Sequence, residues 1–349
     1  MATVEPATRG REAVSRPGRV LRPGVALLIV LVLVAVAGLG IAVGTKSLSF
    51  GDVWRALFVP GTGTTGIIVW QLRIPRTVLG ILVGANLGVA GVLMQTLTRN
   101  RLAEPGLLGV NSGAAFAVVL AIWLAGATAV ADYVWFAFAG AAAAAAGVYL
   151  LGGRGRGTEH SRVRLVLAGA ALSATLGAGT GIVTMFDSTA FDSYRFWVVG
   201  ALTGRGLDTV AAIAPFTIAG LVLALALGPS LNMLALGDEL GTALGLRVFW
   251  VRVLGFAAVV VLTGSATAAA GPVAFVGLVV PHVLRMLLGP DVRWLLLCSL
   301  GAGPILVLIS DIVGRVVARP GELELGIVTA FIGAPFLLAL VLRRGGAGR

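Results

Sequence analysis

The run GVALLIVLVLVAVAGLGIAVG at residues 24–44 carries no charged side chain. An α-helix rises about 1.5 Å per residue, so a run of this length crosses the roughly 30 Å hydrocarbon core of a bilayer. Similar apolar segments recur along the chain and predict an all-α polytopic membrane protein. The ten predicted spans are 24–44, 77–97, 106–128, 133–152, 165–186, 209–228, 249–270, 272–289, 294–314 and 325–342.

The composition excludes other classes of protein. Of the 349 residues, 58% are hydrophobic and only 12% are charged, against about 25% charged residues in a typical soluble domain. This excludes a cytosolic enzyme, a disordered chain and a secreted disulfide scaffold. The single cysteine, Cys298, excludes an intrachain disulfide and a Cys-rich zinc site.

Charge placement predicts the topology. The apolar stretch 249–289 is too long for one helix, and Gly271-Pro272 predicts two short helices joined by a tight turn. Ten spans place both termini on one side, and 18 of the 26 lysines and arginines fall on that side. The positive-inside rule therefore predicts cytoplasmic termini in the cell membrane, with tails at 1–23 and 343–349 around a permease domain at 24–342.

The chain lacks recognisable catalytic chemistry. The sequence contains no G-x-x-x-x-G-K-[ST] motif and no H-E-x-x-H motif, and His160 and His282 lie on different connections. These absences predict no ATP site, no bound metal or other cofactor, and no enzyme activity. Asp311 lies four residues before Arg315 on one helix face, where the two can pair, and a paired carboxylate is a poor proton carrier.

Small and polar residues in the second span indicate helix packing. Gly80, Gly84 and Gly88 recur every four residues and predict a flat ridge for close approach of another helix. Asn86 and Gln95 are costly in lipid, so we expect both to bond to neighbouring helices.

Two segments at opposite sides of the membrane suggest partner proteins. Arg73 and Arg76 flank Pro75, which predicts a helix start, and both arginines are expected to point into external water and bind a partner. The cytoplasmic segment 229–246 has apolar residues at helical spacing, divided by glycine into two pieces. Because it has acidic rather than basic residues, a protein groove is favoured over a lipid surface.

Five sequence blocks in order, from about residue 50 to the C-terminus, resemble the FecCD family of permease subunits. They are R-I-P-R-T (73–77), T-R-N-R-L-A-E-P-G-L-L-G (98–109), L-N-M-L-A-L-G (231–237), F-V-G-L-V-V-P-H-V-L-R (275–285) and G-I-V-T-A-F-I-G-A-P-F (326–336). The family pattern usually has proline where this chain has Arg101 and Glu324.

The resemblance implies an ATP-driven importer of the type II class. It implies a homo- or heterodimer of permease subunits, two ATPase subunits that bind ATP and magnesium, and an external solute-binding protein, with no nucleic acid. The cargo implied first is a ferric siderophore complex, with haem or cobalamin as alternatives. From other classes, a stand-alone secondary carrier or channel remains the runner-up, and a membrane-embedded enzyme is third.

The resemblance also assigns roles to residues and places the pathway along the fifth and tenth spans. Binding-protein docking is implied for Arg73, Arg76 and Arg315, and ATPase coupling for Leu236, Gly237, Asp238, Glu239, Ala243, Leu244 and Gly245. A cytoplasmic loop contributes Arg99, Asn100, Leu102, Glu104 and Pro105, and structural or gating positions are Gly271, Pro272, Pro281, His282, Arg285, Asp311, Gly333 and Pro335.

Overall fold

The computed structural model describes residues 18–46, 48–58, 63–127, 130–152 and 159–345. These residues form helices and no strand, which confirms the predicted all-α fold class. The α-helices in these ranges are α1 Gly18–Ala42, α2 Phe50–Phe58, α3 Thr64–Ile67, α4 Ile74–Leu97, α5 Val110–Ala125, α6 Val130–Gly152, α7 Glu159–Phe186, α8 Ser188–Trp197, α9 Leu207–Ala235, α10 Asp238–Ala243, α11 Val248–Ala270, α12 Val276–Leu288, α13 Val292–Val317 and α14 Leu325–Gly345.

Helices occupy all ten predicted spans. Seven are long and apolar enough to cross a membrane: α1, α6, α7, α9, α11, α13 and the continuous helix Thr64–Leu97 that contains α4. The other three, α5, α12 and α14, are apolar but shorter. Of the predicted tails, residues 1–17 and 346–349 lie outside the described residues, and α1 begins at Gly18, before the predicted span.

Helix α4 lies at the centre of the molecule. It packs against α13, α11, α9 and α12, and its C-terminal half is buried without interruption. Helix α1, by contrast, exposes most of its apolar side chains, as expected for a helix that faces lipid. Helix α4 therefore connects the helices whose ends form the two faces of the molecule.

The glycine ridge of α4 packs as predicted. A Cβ atom on Gly84 would lie 2.5 Å from the backbone of Pro304 in α13, and one on Gly303 would lie 2.0 Å from the Gly84 carbonyl oxygen. A Cβ on Gly88 would approach the Ser299 carbonyl oxygen to 3.1 Å. Only residues without a side chain permit this backbone contact between α4 and α13.

The polar residues of α4 also bond to neighbouring helices, as predicted. The Asn86 amide donates to the hydroxyl oxygens of Thr217 (2.9 Å) and Ser265 (3.0 Å), so it connects α4 to α9 and α11. Gln95 donates to the Gly277 carbonyl oxygen of α12 at 3.2 Å. These bonds provide acceptors for side-chain amide groups that lipid cannot hydrogen-bond.

The predicted break at Gly271-Pro272 is confirmed, but the connection is longer than a tight turn. Helix α11 ends at Ala270 and α12 begins at Val276, with non-helical backbone between them. Gly271 has a φ of +75°, and a Cβ there would lie 2.3 Å from the Trp197 carbonyl oxygen. Both the backbone angle and the close approach require glycine.

The start of the second span was predicted wrongly. The helix runs continuously from Thr64 to Leu97, and Pro75 lies inside it. Just before Pro75, the stretch Ile68–Arg73 is π-helical, and the Ile74 N–H that follows it bonds to the Val69 carbonyl oxygen. This wider hydrogen-bonding pattern accommodates a residue that cannot donate an N–H.

Two short amphipathic helices between spans were not predicted, although each carries a capping signal. Ser49 precedes α2, and its hydroxyl oxygen accepts the Asp52 N–H at 3.1 Å. Asp187 precedes α8, and its carboxylate accepts the Ala190 N–H at 2.6 Å. An N-cap residue before an amphipathic stretch is a usable helix signal, but a search for membrane-length apolar runs does not detect helices this short.

Candidate functional site

The helix bundle has two ends that differ in chemistry. We call the first the Asp238 end, where α4 ends at Leu97 and α9 ends at Ala235. We call the second the Arg76 end, where α1 ends at Ala42 and α13 ends at Val317. The predicted coupling residues lie at the Asp238 end, and the predicted docking arginines lie at the Arg76 end.

Gly237 divides the predicted coupling segment. Helix α9 continues through Pro229 to Ala235, and the six-residue helix α10 then starts at Asp238. Gly237 has a φ of +129°, which L-residues rarely adopt, so this position turns the chain where a continuing helix cannot. The predicted division into two helical pieces is confirmed, although the first piece is the end of a long spanning helix.

The Asp238 carboxylate holds α10 in place through two arginines. One oxygen lies 2.6 Å from an Arg99 nitrogen, and the other lies 2.7 Å from an Arg252 nitrogen. The same Arg99 nitrogen donates to the Leu234 carbonyl oxygen at 2.9 Å, near the end of α9. This arrangement, which we call the Asp238 clamp, joins α10 to α9, to α11 and to the loop after α4.

Three leucines project from this segment into solvent. Leu236, Leu240 and Leu244 are 62%, 58% and 61% exposed, respectively. We call them the leucine patch. Glu239, Ala243 and Gly245 are exposed beside them. Leu240 lies on α10, and Leu236 and Leu244 lie on either side of it. Exposed leucines grouped in this way outside the spans are suited to an apolar groove on another protein.

The loop after α4 is ordered and folds back towards the membrane spans. Arg99 has a φ of +51°, which turns the chain at the end of α4. The Asn100 side-chain oxygen then accepts the Leu102 N–H at 2.9 Å. Pro105 follows and packs against Gly277, where a Cβ atom would lie 2.8 Å from the proline ring.

Glu104 connects this loop to the break between α11 and α12. Its carboxylate accepts the backbone N–H of Phe275 at 2.5 Å, and Phe275 has a φ of +69°. Burial raises the pKa of Glu104, and the bond from Phe275 opposes that rise. On the other side, Gly333 of α14 leaves room for the Phe275 ring, which a Cβ at Gly333 would meet at 2.2 Å.

The structure explains how α12 tolerates Pro281. Proline has no N–H to donate to the Gly277 carbonyl oxygen one turn earlier, and the Gln95 amide donates there instead. Arg285 in turn donates to the Gln95 side-chain oxygen. The His282 ring packs edge-on against Phe336 of α14, with 5.6 Å between ring centroids. Pro335 precedes Phe336 inside α14.

At the Arg76 end, the expectation that Arg73 and Arg76 point into external water is wrong. Arg73, Arg76 and Arg315 are only 5%, 9% and 2% exposed. Arg73 donates to the carbonyl oxygens of Ile41 (2.9 Å) and Ala42 (2.7 Å). The last carbonyl groups of a helix lack intrahelical donors, so this arginine caps α1.

Arg76 and Arg315 share one buried carboxylate. Asp311 lies 2.8 Å from an Arg76 nitrogen and 2.7 Å from an Arg315 nitrogen, and the predicted Asp311–Arg315 pair is thereby confirmed. Arg76 also lies 2.7 Å from Glu322, and Arg315 donates to the Gly40 carbonyl oxygen at 3.0 Å. This buried network ties α4, α13, α1 and the loop before α14 together.

Sequence reasoning missed Glu322 as part of this network. Its carboxylate accepts hydrogen bonds from Arg76 and from the hydroxyl groups of Thr45 and Thr203. These residues are far apart in sequence, so no local spacing indicates the contact. Glu324, two residues on, has its pKa raised by burial, with Arg76 lowering it in part.

Among the described residues, no group of three His, Cys, Asp or Glu side chains could hold a metal ion.

Comparison with known proteins agrees with this architecture. The chain is 46% identical over 341 residues to the ferric enterobactin transport system permease protein FepD of Escherichia coli, covering 97% of this chain and 99% of that protein. It is 39% identical over 321 residues to the Fe(3+)-citrate import system permease protein YfmD of Bacillus subtilis, covering 92% and 94%.

A solved structure shows the same arrangement of helices. It is described as an inward-facing conformation of a metal-chelate type ABC transporter, and it superposes with a TM-score of 0.81 at 28% identity over 92% of this chain and 99% of that chain. The sequence model of the FecCD transport family matches residues 27–343. The predicted resemblance is confirmed: the chain belongs to the FecCD transport family, whose members are membrane-embedded subunits of ABC transporters.

Proposed function

We propose that this chain is the permease subunit of an ATP-driven importer for ferric siderophore complexes. The Asp238 end faces the cytoplasm, and the Arg76 end faces outward. The charge distribution supports this orientation, since 18 of the 26 lysines and arginines fall on the side of the termini in the ten-span topology. The family membership supports the transport role.

The leucine patch is the observation that carries the proposal. An isolated carrier has no need to hold three exposed leucines beyond its spans at a cost in solvation. Here the Asp238 clamp fixes them in one orientation, which is the arrangement required to fill a groove in an ATPase subunit. The chain itself has no P-loop, so the ATPase subunits bind ATP and magnesium.

A continuous set of contacts leads from this patch into the spans. A displacement of α10 moves Arg99 through the clamp, and Arg99 belongs to the same loop as Glu104. Glu104 holds the turn at Phe275, and the Phe275 ring packs on Gly333 of α14. ATP-driven movement of the partner subunits then shifts α14, beside the path of the cargo, as a rigid element.

At the Arg76 end, we propose that a solute-binding protein docks on exposed cations. Lys46, Arg55, Arg195 and Arg319 are exposed there. They are suited to steer an acidic surface into register. The predicted docking residues Arg73, Arg76 and Arg315 contribute from beneath by fixing α1, α4 and α13 as a rigid platform. A second permease subunit, the same or a sister chain, completes the pathway.

The names of two relatives support the proposed cargo class. FepD is described as a ferric enterobactin permease and YfmD as an Fe(3+)-citrate permease, so both names specify a ferric chelate. This supports a ferric siderophore over the haem and cobalamin alternatives.

The decisive experiment reconstitutes the permease in liposomes with and without its ATPase subunits and binding protein. We expect uptake of ⁵⁵Fe-labelled siderophore only when all components and ATP are present. Labelled haem and cobalamin, offered under the same conditions, are expected not to accumulate. Uptake by the chain alone, driven by an ion gradient, would instead establish a stand-alone secondary carrier or channel.

A further inference from the structure

A cavity at the Asp238 end is separate from the coupling segment and the predicted docking residues. Its volume is about 600 Å³, and its walls come from the loop after α4, the end of α12 and the last half of α14. The polar side chains that line it are Arg101, His282 and Arg285. The apolar wall includes Met286, Phe336 and Leu340.

The charge in this cavity is not balanced. At the same end, Arg99 and Arg252 bind Asp238, and Arg22 binds Asp291. Arg101 and Arg285 have no carboxylate partner within the described part of the chain, and the two guanidinium groups repel each other. Arg285 uses one N–H on Gln95, so most of its donors stay available. An anion between the two arginines would remove this repulsion.

The shape of the cavity selects the kind of anion. Beside the two arginines, the cavity has an apolar wall on helix α14. This wall consists of Phe336, Ala339 and Leu340. A small soluble anion would leave this apolar wall exposed to water. A phosphate group with an attached acyl chain satisfies both parts, because phosphate matches the fork of arginine donors and the chain covers the wall.

The position of the cavity agrees with this occupant. It lies where α4 and α12 end, which is the depth of lipid headgroups at one face of the membrane. Basic pockets between membrane helices attract anionic lipid headgroups. We propose that the cavity lined by Arg101, Arg285 and Phe336 binds one anionic phospholipid, with its phosphate on the arginines and an acyl chain along α14.

Native mass spectrometry of the full-length chain in detergent tests this proposal. The probes are phosphatidylglycerol, phosphatidylcholine and inorganic phosphate. We expect one phosphatidylglycerol to bind more tightly than phosphatidylcholine, and inorganic phosphate to compete poorly. Arg101→Ala should weaken phosphatidylglycerol binding about fivefold, and Arg101→Lys should retain most of it.

Two further variants separate a built site from general attraction. Ala339→Trp fills the cavity from an exposed position on α14 and should weaken lipid binding while leaving both arginines in place. Arg293→Ala removes an exposed arginine at the same end that does not line the cavity, and should change nothing. Unfolding temperatures of all variants confirm that each is folded.

Three results would overturn the proposal. Equal binding of phosphatidylglycerol and phosphatidylcholine would mean that the arginines do not select charge. Equal losses in Arg293→Ala and Arg101→Ala would mean that surface charge alone attracts lipid. Displacement of phosphatidylglycerol by equimolar inorganic phosphate would assign the cavity to a soluble anion.

Discussion

The two ends of the bundle use arginine in opposite ways. At the Arg76 end, Arg76 and Arg315 are buried with Asp311, which pairs with both of them, and Arg315 also donates to backbone carbonyl oxygens. At the Asp238 end, the ion pairs of Asp238 are about 30% exposed, and the leucine patch beside them faces solvent. The arginines of the buried network are satisfied within the chain, while the side chains of the leucine patch remain exposed.

The buried arginines show that the charge of a residue and its place beside a span do not by themselves establish that it docks a partner protein. A buried carboxylate shared by two arginines is costly to disturb, because removal of one partner leaves an uncompensated charge. The partly exposed clamp costs little to break, and we propose that it sets the orientation of the leucines. We therefore expect mutations at the Arg76 end to affect folding and those at the Asp238 end to affect coupling.

The largest effect is expected for Arg76→Ala. The substitution leaves the buried Asp311 with Arg315 alone and deprives Glu322 of its arginine, so it should reduce the free energy of unfolding by about 3–5 kcal/mol. Thermal unfolding of the detergent-solubilised chain measures this loss. Replacing Arg76, Asp311 and Arg315 together by apolar side chains of similar size should restore part of it, because neither Asp311 nor an arginine is then left buried without its partner.

The matched control is Arg195→Ala at the same end. Arg195 pairs with Asp192, but both side chains are more than half exposed, so the change should cost at most about 1 kcal/mol. Equal unfolding temperatures for Arg76→Ala and Arg195→Ala would show that the buried network does not stabilise the fold, and the contrast between the two ends would fail.

A smaller effect, on binding rather than folding, is expected when Leu236, Leu240 and Leu244 are all changed to Ala. Leucine side chains that fill a groove remove most of their apolar surface from water when the partner binds. Truncating all three should therefore lower the affinity for the ATPase subunit at least about tenfold. Co-purification and ATPase stimulation measure the change, while the unfolding temperature should stay constant.

The control for the leucine patch is Leu207→Ala at the start of α9. Leu207 is 53% exposed at the Arg76 end and should leave ATPase binding unchanged. If the triple variant binds the ATPase subunit as tightly as Leu207→Ala does, the leucine patch is not the coupling surface.

Asp238→Asn should have a weaker effect. It removes the charge that binds Arg99 and Arg252, and because these side chains are partly exposed the cost to stability should be about 1 kcal/mol or less. Coupling efficiency, measured as transport per ATP hydrolysed, should fall several-fold because α10 loses its fixed orientation. A salt titration of the wild-type chain should weaken the clamp and spare the buried network. Unaltered coupling in Asp238→Asn would show that the clamp does not set the orientation of the leucine patch.

Sequence reasoning predicted what local patterns encode. The glycine ridge of α4, the break at Gly271 and the Asp311–Arg315 pair follow from spacings of a few residues, and the structure confirms each of them. The same reasoning placed Gln95 in a bond to a neighbouring helix without finding that it serves the carbonyl group left free by Pro281. That function depends on a contact between distant segments.

The site at the Arg76 end shows the limit more sharply. The sequence predicts that Arg73 and Arg76 are exposed, because the apolar run starts after them. The helix in fact starts at Thr64, and both side chains are buried. Their partners, the end of α1 and Asp311, lie in segments that no spacing rule connects with residues 73–76. A single sequence gives the charges at that end but not their pairing, which tertiary packing determines.

The smallest expected effect is a difference between the two ends in how stability depends on pH. At the Asp238 end, partial burial would raise the pKa of Asp291, but bonds from Asn232, the Arg293 N–H and Arg22 lower it overall. The folded form thus favours the ionised carboxylate, and its stabilisation is present above the unfolded pKa of about 3.9 and is lost as pH falls through the lower folded value. Asp291→Asn should therefore destabilise the chain at pH 7 and progressively less towards acid.

Glu324, at the Arg76 end, should behave in the opposite sense. Burial raises its pKa, so the folded form favours the protonated acid, and this stabilisation is complete below the unfolded pKa of about 4.3 and disappears as pH rises through the higher folded value. Glu324→Gln keeps the shape without the charge and should raise the unfolding temperature at pH 7 but not at pH 4. The two variants are measured from about pH 2 to pH 7. The loss of stability in Asp291→Asn should grow as pH rises through the acid range, and the gain in Glu324→Gln should grow at higher pH. Changes of the same sign in both variants would mean that the loops at both ends hold their carboxylates in the same way.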